Sequence, residues 1–164
     1  MEREAAKLVL DASVAVKWVI QEDYRDYALK LREEHVRGSV EISAPSIIVY
    51  EVVNALRYNP ELSEADVKKA AESLFGLHMK LEQPTNRLIG KAAETAYKYS
   101  VSIYDAAYLG LSELKDCPMI TADQELYGKT SSSNLVMLLS SDRFSQWLNN
   151  LREASKDRFR NEKP

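Results

Sequence analysis

The chain has 164 residues and a formal net charge of −3, with 22 Lys and Arg against 25 Asp and Glu. That length suits one domain that buries roughly two-thirds of its unfolded surface, and the mild negative charge excludes a bulk polycation, so nucleic-acid binding would need a local basic rim or a bound cation. The single Cys117 excludes an intramolecular disulfide and a cysteine-rich zinc site, and its apolar setting in CPMIT reads as a buried thiol.

The first residues, MEREAAKLVLD, carry acidic side chains and no long apolar run, unlike a secretory signal. No segment approaches the roughly 20 apolar residues that cross a bilayer, so a cytoplasmic protein is expected. Lys7 to Asp11 reads as a short buried strand and Ala12 to Ile20 as a helix with Asp11 or Ser13 near its cap. Tyr24 to Val36 has helical spacing and stops at Gly38, and Glu41 to Ala44 is extended. Ser46 is expected to cap a helix that runs to about Tyr58, where Asn59-Pro60 ends it.

Ser63-Glu64-Ala65-Asp66 resembles a capping box and opens a helix to about Leu77. An extended piece from Met79 to Leu81 follows, then helices over Thr85 to Tyr99 and Ser102 to Leu114. Cys117 to Thr121 reads as a strand, Asp123 to Tyr127 as a short helix and Leu135 to Leu139 as a strand. Phe144, Trp147, Leu148 and Leu151 recur at helical spacing, and a mixed-charge tail closes the chain. A main domain over 1–140 and a terminal amphipathic helix with polar tail over 141–164 are expected. Strands alternating with helices predict an α/β layer fold with a mainly parallel sheet. Such sheets bind ligands at the carboxyl ends of their strands.

Four acids stand out against this pattern: Asp11, Glu51, Asp105 and Asp123. Each has a bland alternative. Asp11, Asp105 and Asp123 all precede or open helices, where a cap is worth about 1 kcal/mol. Glu51 shares a helix side with Ile47, Ile48, Asn54 and Ala55, and an ion pair with Arg57 would account for it. Their conjunction is more informative. Asp11 and Asp123 follow two strands at one sheet edge, and the other two lie on helices that must pack beside it. Gathered carboxylates repel unless a cation joins them, and oxygen-only ligands suit Mg²⁺ or Mn²⁺. One or two such ions can activate water and stabilise the leaving oxygen of a phosphodiester, with no protein nucleophile. His35 and His78 lack metal-ligand spacing and read as surface residues; no phosphate-cradling glycine loop or nucleophile elbow is present. Lys17 and Arg57 are candidates for a positive rim.

The segments VLDASVAVKW, APSIIVYEVVNALR, SIYDAAYLGLSE and MITADQEL resemble, in order, the motifs of PIN-domain ribonucleases, especially VapC-type toxins. The likeness runs from about Lys7 to Leu139. It implies a three-layer α/β/α fold with a twisted, mainly parallel central sheet, and metal-dependent endonucleolytic cleavage of RNA. It implies that Asp11, Glu51, Asp105 and Asp123 hold Mg²⁺ or Mn²⁺, with Ser13, Asn54 and Thr121 in supporting positions. It further implies a homodimer and an antitoxin protein as partner. Other readings are an RNA-processing nuclease with no antitoxin, a non-catalytic PIN domain that binds RNA or protein, and a structure-specific DNA nuclease.

Overall fold

The computed structural model describes residues 4–161, with side chains described through residue 154. Five strands form one sheet: β1 (Ala6–Leu10), β2 (Val40–Pro45), β3 (Lys80–Glu82), β4 (Met119–Thr121) and β5 (Val136–Leu138). Their order is β3-β2-β1-β4-β5, and every neighbouring pair is parallel. Successive strand residues face opposite sides, yet Leu8, Val9 and Leu10 are all fully buried. Helices therefore cover both faces, which is why β1 reads as an unbroken apolar run.

The order also locates a crevice. From β1 the chain builds outward to β2 and β3, then returns to place β4 on the other side of β1 and β5 beyond it. The connections diverge between β1 and β4, the topological switch point where open parallel sheets bind ligands. Val9 pairs with Met119 and Leu10 with Ile120, so Asp11 emerges level with Thr121. The Asp11 amide continues the ladder with a 3.0 Å bond to the Ile120 carbonyl.

The helices are α1 (Ala12–Val16), α2 (Arg25–Val36), α3 (Ile48–Arg57), α4 (Glu64–Gly76), α5 (Asn86–Tyr99), α6 (Ile103–Lys115), α7 (Gln124–Thr130) and α8 (Asp142–Asn161). The capping box at Ser63 and Asp66 forms as its sequence predicts, and Gly38 ends the α2 turn at φ 77°. Ser102 and Thr85 cap α6 and α5 through their hydroxyls. Gly110 lets α6 approach α5: a Cβ there would stand 3.2 Å from the Ala92 nitrogen. Ala92, Ala96, Ala106 and Ala107 fill that seam.

Several boundaries differ from expectation for local reasons. α1 ends at Val16 because the amides of Lys17, Trp18 and Val19 bond to carbonyls three residues back, tightening the last turn. Ser46 does not cap α3; Ile47 holds that position without a side-chain bond, and the Ser46 amide pairs with the Glu82 carbonyl. β4 begins at Met119 rather than Cys117, since the Cys117 amide and carbonyl are both taken by Ser112 and Pro118 has no N–H to give. α7 runs on to Thr130, whose hydroxyl bonds the Leu126 carbonyl.

Two readings of surface residues are corrected. His35 is partly buried and bridges β2 to the end of α4, its ring nitrogens 3.0 Å from the Val40 carbonyl and 2.8 Å from that of Leu77. Arg152 belongs to no solvated tail: it lies 3.4 Å from Glu34, a fully buried carboxylate that Arg37 also contacts at 3.2 Å. Phe144 and Leu148 of α8 join the main core, with Trp147 stacked on Phe144. The tail charges at Lys156, Asp157, Arg158, Arg160, Glu162 and Lys163 lie outside the described side chains. Among the described residues, no helix is long and apolar enough to cross a membrane.

Candidate active site

Asp11 follows β1 at the switch point and is only 6% exposed. It stands at the N-cap position of α1. Two hydroxyls hold its carboxylate, and the Ser13 backbone also favours the charged form. Ser13 donates to Oδ2, and Thr121 donates to the same oxygen across 2.9 Å. Each hydroxyl in turn accepts a backbone N–H: Ala122 to Ser13 at 2.9 Å and Asp123 to Thr121 at 3.0 Å. Both hydroxyl protons are thereby committed to Asp11, which fixes Oδ2 as a double acceptor. The spacings Asp-x-Ser after β1 and Thr-x-Asp after β4 are thus one network across the β1–β4 crevice.

Burial pushes the Asp11 carboxyl above its usual range; the Ser13 and Thr121 bonds oppose this, and the nearby Asp105 charge adds to it. Glu51 behaves alike. It projects from the first turn of α3, is partly buried, and is raised chiefly by desolvation, against a hydrogen bond from Tyr108, with further upward pressure from Asp11 and Asp105. The expected ion pair between Glu51 and Arg57 is not formed; the Arg57 guanidinium lies 5.1 Å from the Tyr58 ring. Glu51 accepts from the Tyr108 hydroxyl of α6. Burial, then this bond, lifts the phenol far above its ordinary range, so Tyr108 stays a donor.

Asp105 occupies the first turn of α6. Ser102 is the cap, donating to Asp105 Oδ2 at 2.7 Å and accepting from the Asp105 amide at 3.1 Å. Asp123 is exposed and caps α7 through the Leu126 amide at 2.9 Å. Asp11, Glu51 and Asp105 therefore form one electrostatically coupled group, while Asp123 joins it through Thr121 and through Lys129. Lys129 pairs first with Glu125 at 2.7 Å but also feels the charges of Asp105 and Asp123. Asn54 is exposed and makes no hydrogen bond among the described residues. Lys17 is engaged with Glu22 at 3.0 Å. Tyr108 and Lys129 escaped the sequence reading: the first sits in an apolar helix run and the second in a polar one.

None of the four acids is ion-paired among the described residues; Lys129, which feels Asp105 and Asp123, pairs first with Glu125. The donor set is oxygen alone, which fits a hard divalent cation. Among the described residues, no group of three or more His, Cys, Asp or Glu side chains is placed to hold a metal ion together. Magnesium does not need one, since it keeps several waters and binds through one or two carboxylates.

Comparison with known proteins gives a consistent likeness. A family model described as "PIN domain" matches residues 8–130. The protein called "Ribonuclease VapC3" of Pyrobaculum aerophilum is 29% identical over 127 residues, covering 75% of this chain and 94% of that protein. Among solved structures, PAE2754 from Pyrobaculum aerophilum superposes with a TM-score of 0.58 at 21% identity, over 91% of this chain and 98% of that one. A member of the VapBC family of toxin-antitoxin systems, VapBC-5 from Mycobacterium tuberculosis, gives 0.53 at 16% identity, over 81% and 97%. At these identities the two structures bear on the fold alone.

Proposed function

The chain belongs to the PIN domain family, and from that premise we propose that it is an endoribonuclease, the toxin of a toxin–antitoxin pair, working with Mg²⁺ or Mn²⁺. The observation that carries the proposal is the buried Asp11, held by two hydroxyls at the switch point and electrostatically coupled to Glu51 and Asp105. The named ribonuclease relative supports RNA as substrate; the antitoxin partner is what the motif resemblance implies.

One or two of Asp11, Glu51 and Asp105 would ligate the ion, with water completing its shell and Asp123 at the periphery. When bound, it would lower the pKa of a water and offset the charge that grows on the phosphate. The protein's own contribution is preorganisation. Ser13 and Thr121 fix the Asp11 carboxylate, Ser102 fixes Asp105, and Tyr108 fixes Glu51. Lys129, which feels the charges of Asp105 and Asp123, would be a cation for the RNA backbone. A single-stranded or looped RNA suits a shallow rim, since its bases are accessible. The protein would act in the cytoplasm as a homodimer, a second copy covering large side chains left exposed on α3 and α5, Tyr50, Tyr58, Ile89 and Tyr97.

Matched RNA and DNA oligonucleotides of the same sequence test the substrate class. Cleavage of RNA alone is expected; equal or preferential cleavage of DNA would overturn the ribonuclease reading. Expression of the wild type should arrest growth, and expression of Asp11→Asn should not.

A further inference from the structure

A cleft of about 320 Å³ opens between the end of α1 and helices α2, α3 and α4. Trp18, Val52, Leu62, Leu74 and Leu77 give it apolar walls, and none of the four acids lines it. The Trp18 indole N–H already donates to the Ala28 carbonyl at 2.9 Å, so the ring meets the cleft with its polar atom satisfied. Three charged residues complete the lining: Arg32, Asp66 and Lys69. Asp66 is engaged in its capping box, accepting from both the amide and the hydroxyl of Ser63. Arg32 is different. It is half-buried, and among the described residues its guanidinium has no hydrogen bond or ion pair. The other half-buried arginines described are both anchored, Arg25 on the carbonyls of Lys17 and Trp18 and Arg152 on Glu34.

We propose that this cleft is a binding site for a small amphipathic carboxylate, its head on Arg32 and its tail along Trp18, Val52 and Leu74. A guanidinium is a planar fork of donors with no acceptor, and a carboxylate matches it with two parallel bonds. Partial burial strengthens that contact over one made on open surface. Lys69 adds a second positive charge and Asp66 subtracts one, so the lining carries a single net positive charge. That matches a monoanion better than a dianion. The apolar walls reward a hydrocarbon tail in proportion to the area it takes from water. About 320 Å³ gives room for roughly ten non-hydrogen atoms at the ~30 Å³ that a water occupies, the size of octanoate. Such a molecule fits whole, whereas a protein segment would extend well beyond the cleft. Few polar groups set in a mostly apolar wall are also what small-molecule sites are built from.

The chain has two tryptophans, and Trp147→Phe leaves Trp18 as the single indole without touching the cleft. Octanoate titrated against the emission of Trp18 tests the proposal, with octanamide as its neutral twin. Calorimetry on the wild type makes the same comparison without any substitution, and thermal melts establish that each variant is folded. Octanoate is expected to shift the emission saturably and to bind roughly tenfold more tightly than octanamide, the scale of a charge-assisted bond. Arg32→Gln should bring octanoate down to the level of octanamide and leave octanamide unchanged. Ala70→Phe, which fills the cleft from α4, should abolish binding of both. No saturable binding of octanoate, equal binding of the two probes, or undiminished octanoate binding in Arg32→Gln would overturn the proposal. Binding retained in Ala70→Phe would mark an adventitious apolar contact elsewhere and overturn it too. Emission that shifts with protein concentration but not with octanoate would give the cleft to a second copy of the chain, again against the proposal.

Discussion

Thr121 donates its hydroxyl proton to Asp11 across 2.9 Å, joining the last residue of β4 to the residue that follows β1. The bond spans the switch point of the sheet, and Thr121 is fully buried. Thr121→Val keeps the shape but removes the donor to Asp11 and the acceptor of the Asp123 amide. A charge-assisted bond is worth roughly 1.5–3 kcal/mol, so urea melts should show a loss of that order. Divalent-ion affinity should fall about 10–100-fold with it.

The raised carboxyls make stability depend on pH and metal together. Asp11 is lifted first by burial and also by Asp105; Glu51 is lifted by burial and by both other acids, with Tyr108, Ser13 and Thr121 opposing. A carboxyl whose folded pKa exceeds its unfolded value of about 4 binds more protons in the native state, so stability falls as pH rises through that window. In chelator, the wild type should therefore lose stability on going from pH 4.5 to pH 7.5, and Asp11→Asn should lose less and melt higher at neutral pH. Saturating Mg²⁺ should restore the wild type, by about 2.7 kcal/mol at a hundred times Kd, and leave Asp11→Asn unmoved. Thermal melts across pH with and without the ion check each sign.

Arg152 ties α8 to the fold through Glu34. Stripping a buried charge of its partner typically costs about 3–5 kcal/mol. Because Arg37 remains beside Glu34, Arg152→Ala should cost less, roughly 1–3 kcal/mol by the same reasoning. A chain cut after residue 140 also loses Phe144 and Leu148 from the core, and should show no cooperative melt.

Lys129 senses Asp105 and Asp123 from α7. Lys129→Ala should raise KM for RNA with little change in kcat, and should reduce the slope of log affinity against log salt by about 1. A change confined to kcat would place its role elsewhere.

The layered fold was legible because its strands are short apolar runs separated by helices with readable caps, such as Ser63 with Asp66. Asp11, Ser13, Thr121 and Asp123 were legible as a group because two local spacings meet at one sheet edge, a place that topology alone predicts. Tyr108 was not, since it lies between Ala107 and Leu109 in a buried helix and only the packing of α6 near α3 brings its hydroxyl to Glu51. Glu34 and Arg152 were hidden for the same reason: each looks like a surface charge on its own helix. His35 likewise lacks ligand spacing, and its bonds are to carbonyls that only the folded chain brings together.

The most direct test is cleavage of a mixed RNA panel by purified protein in Mg²⁺, in Mn²⁺ and in EDTA, beside Asp11→Asn of matched folding. The account predicts cleavage with either ion, none in EDTA, and a loss of several orders of magnitude in the variant. Cleavage that persists in EDTA, or equally in Asp11→Asn, would contradict it.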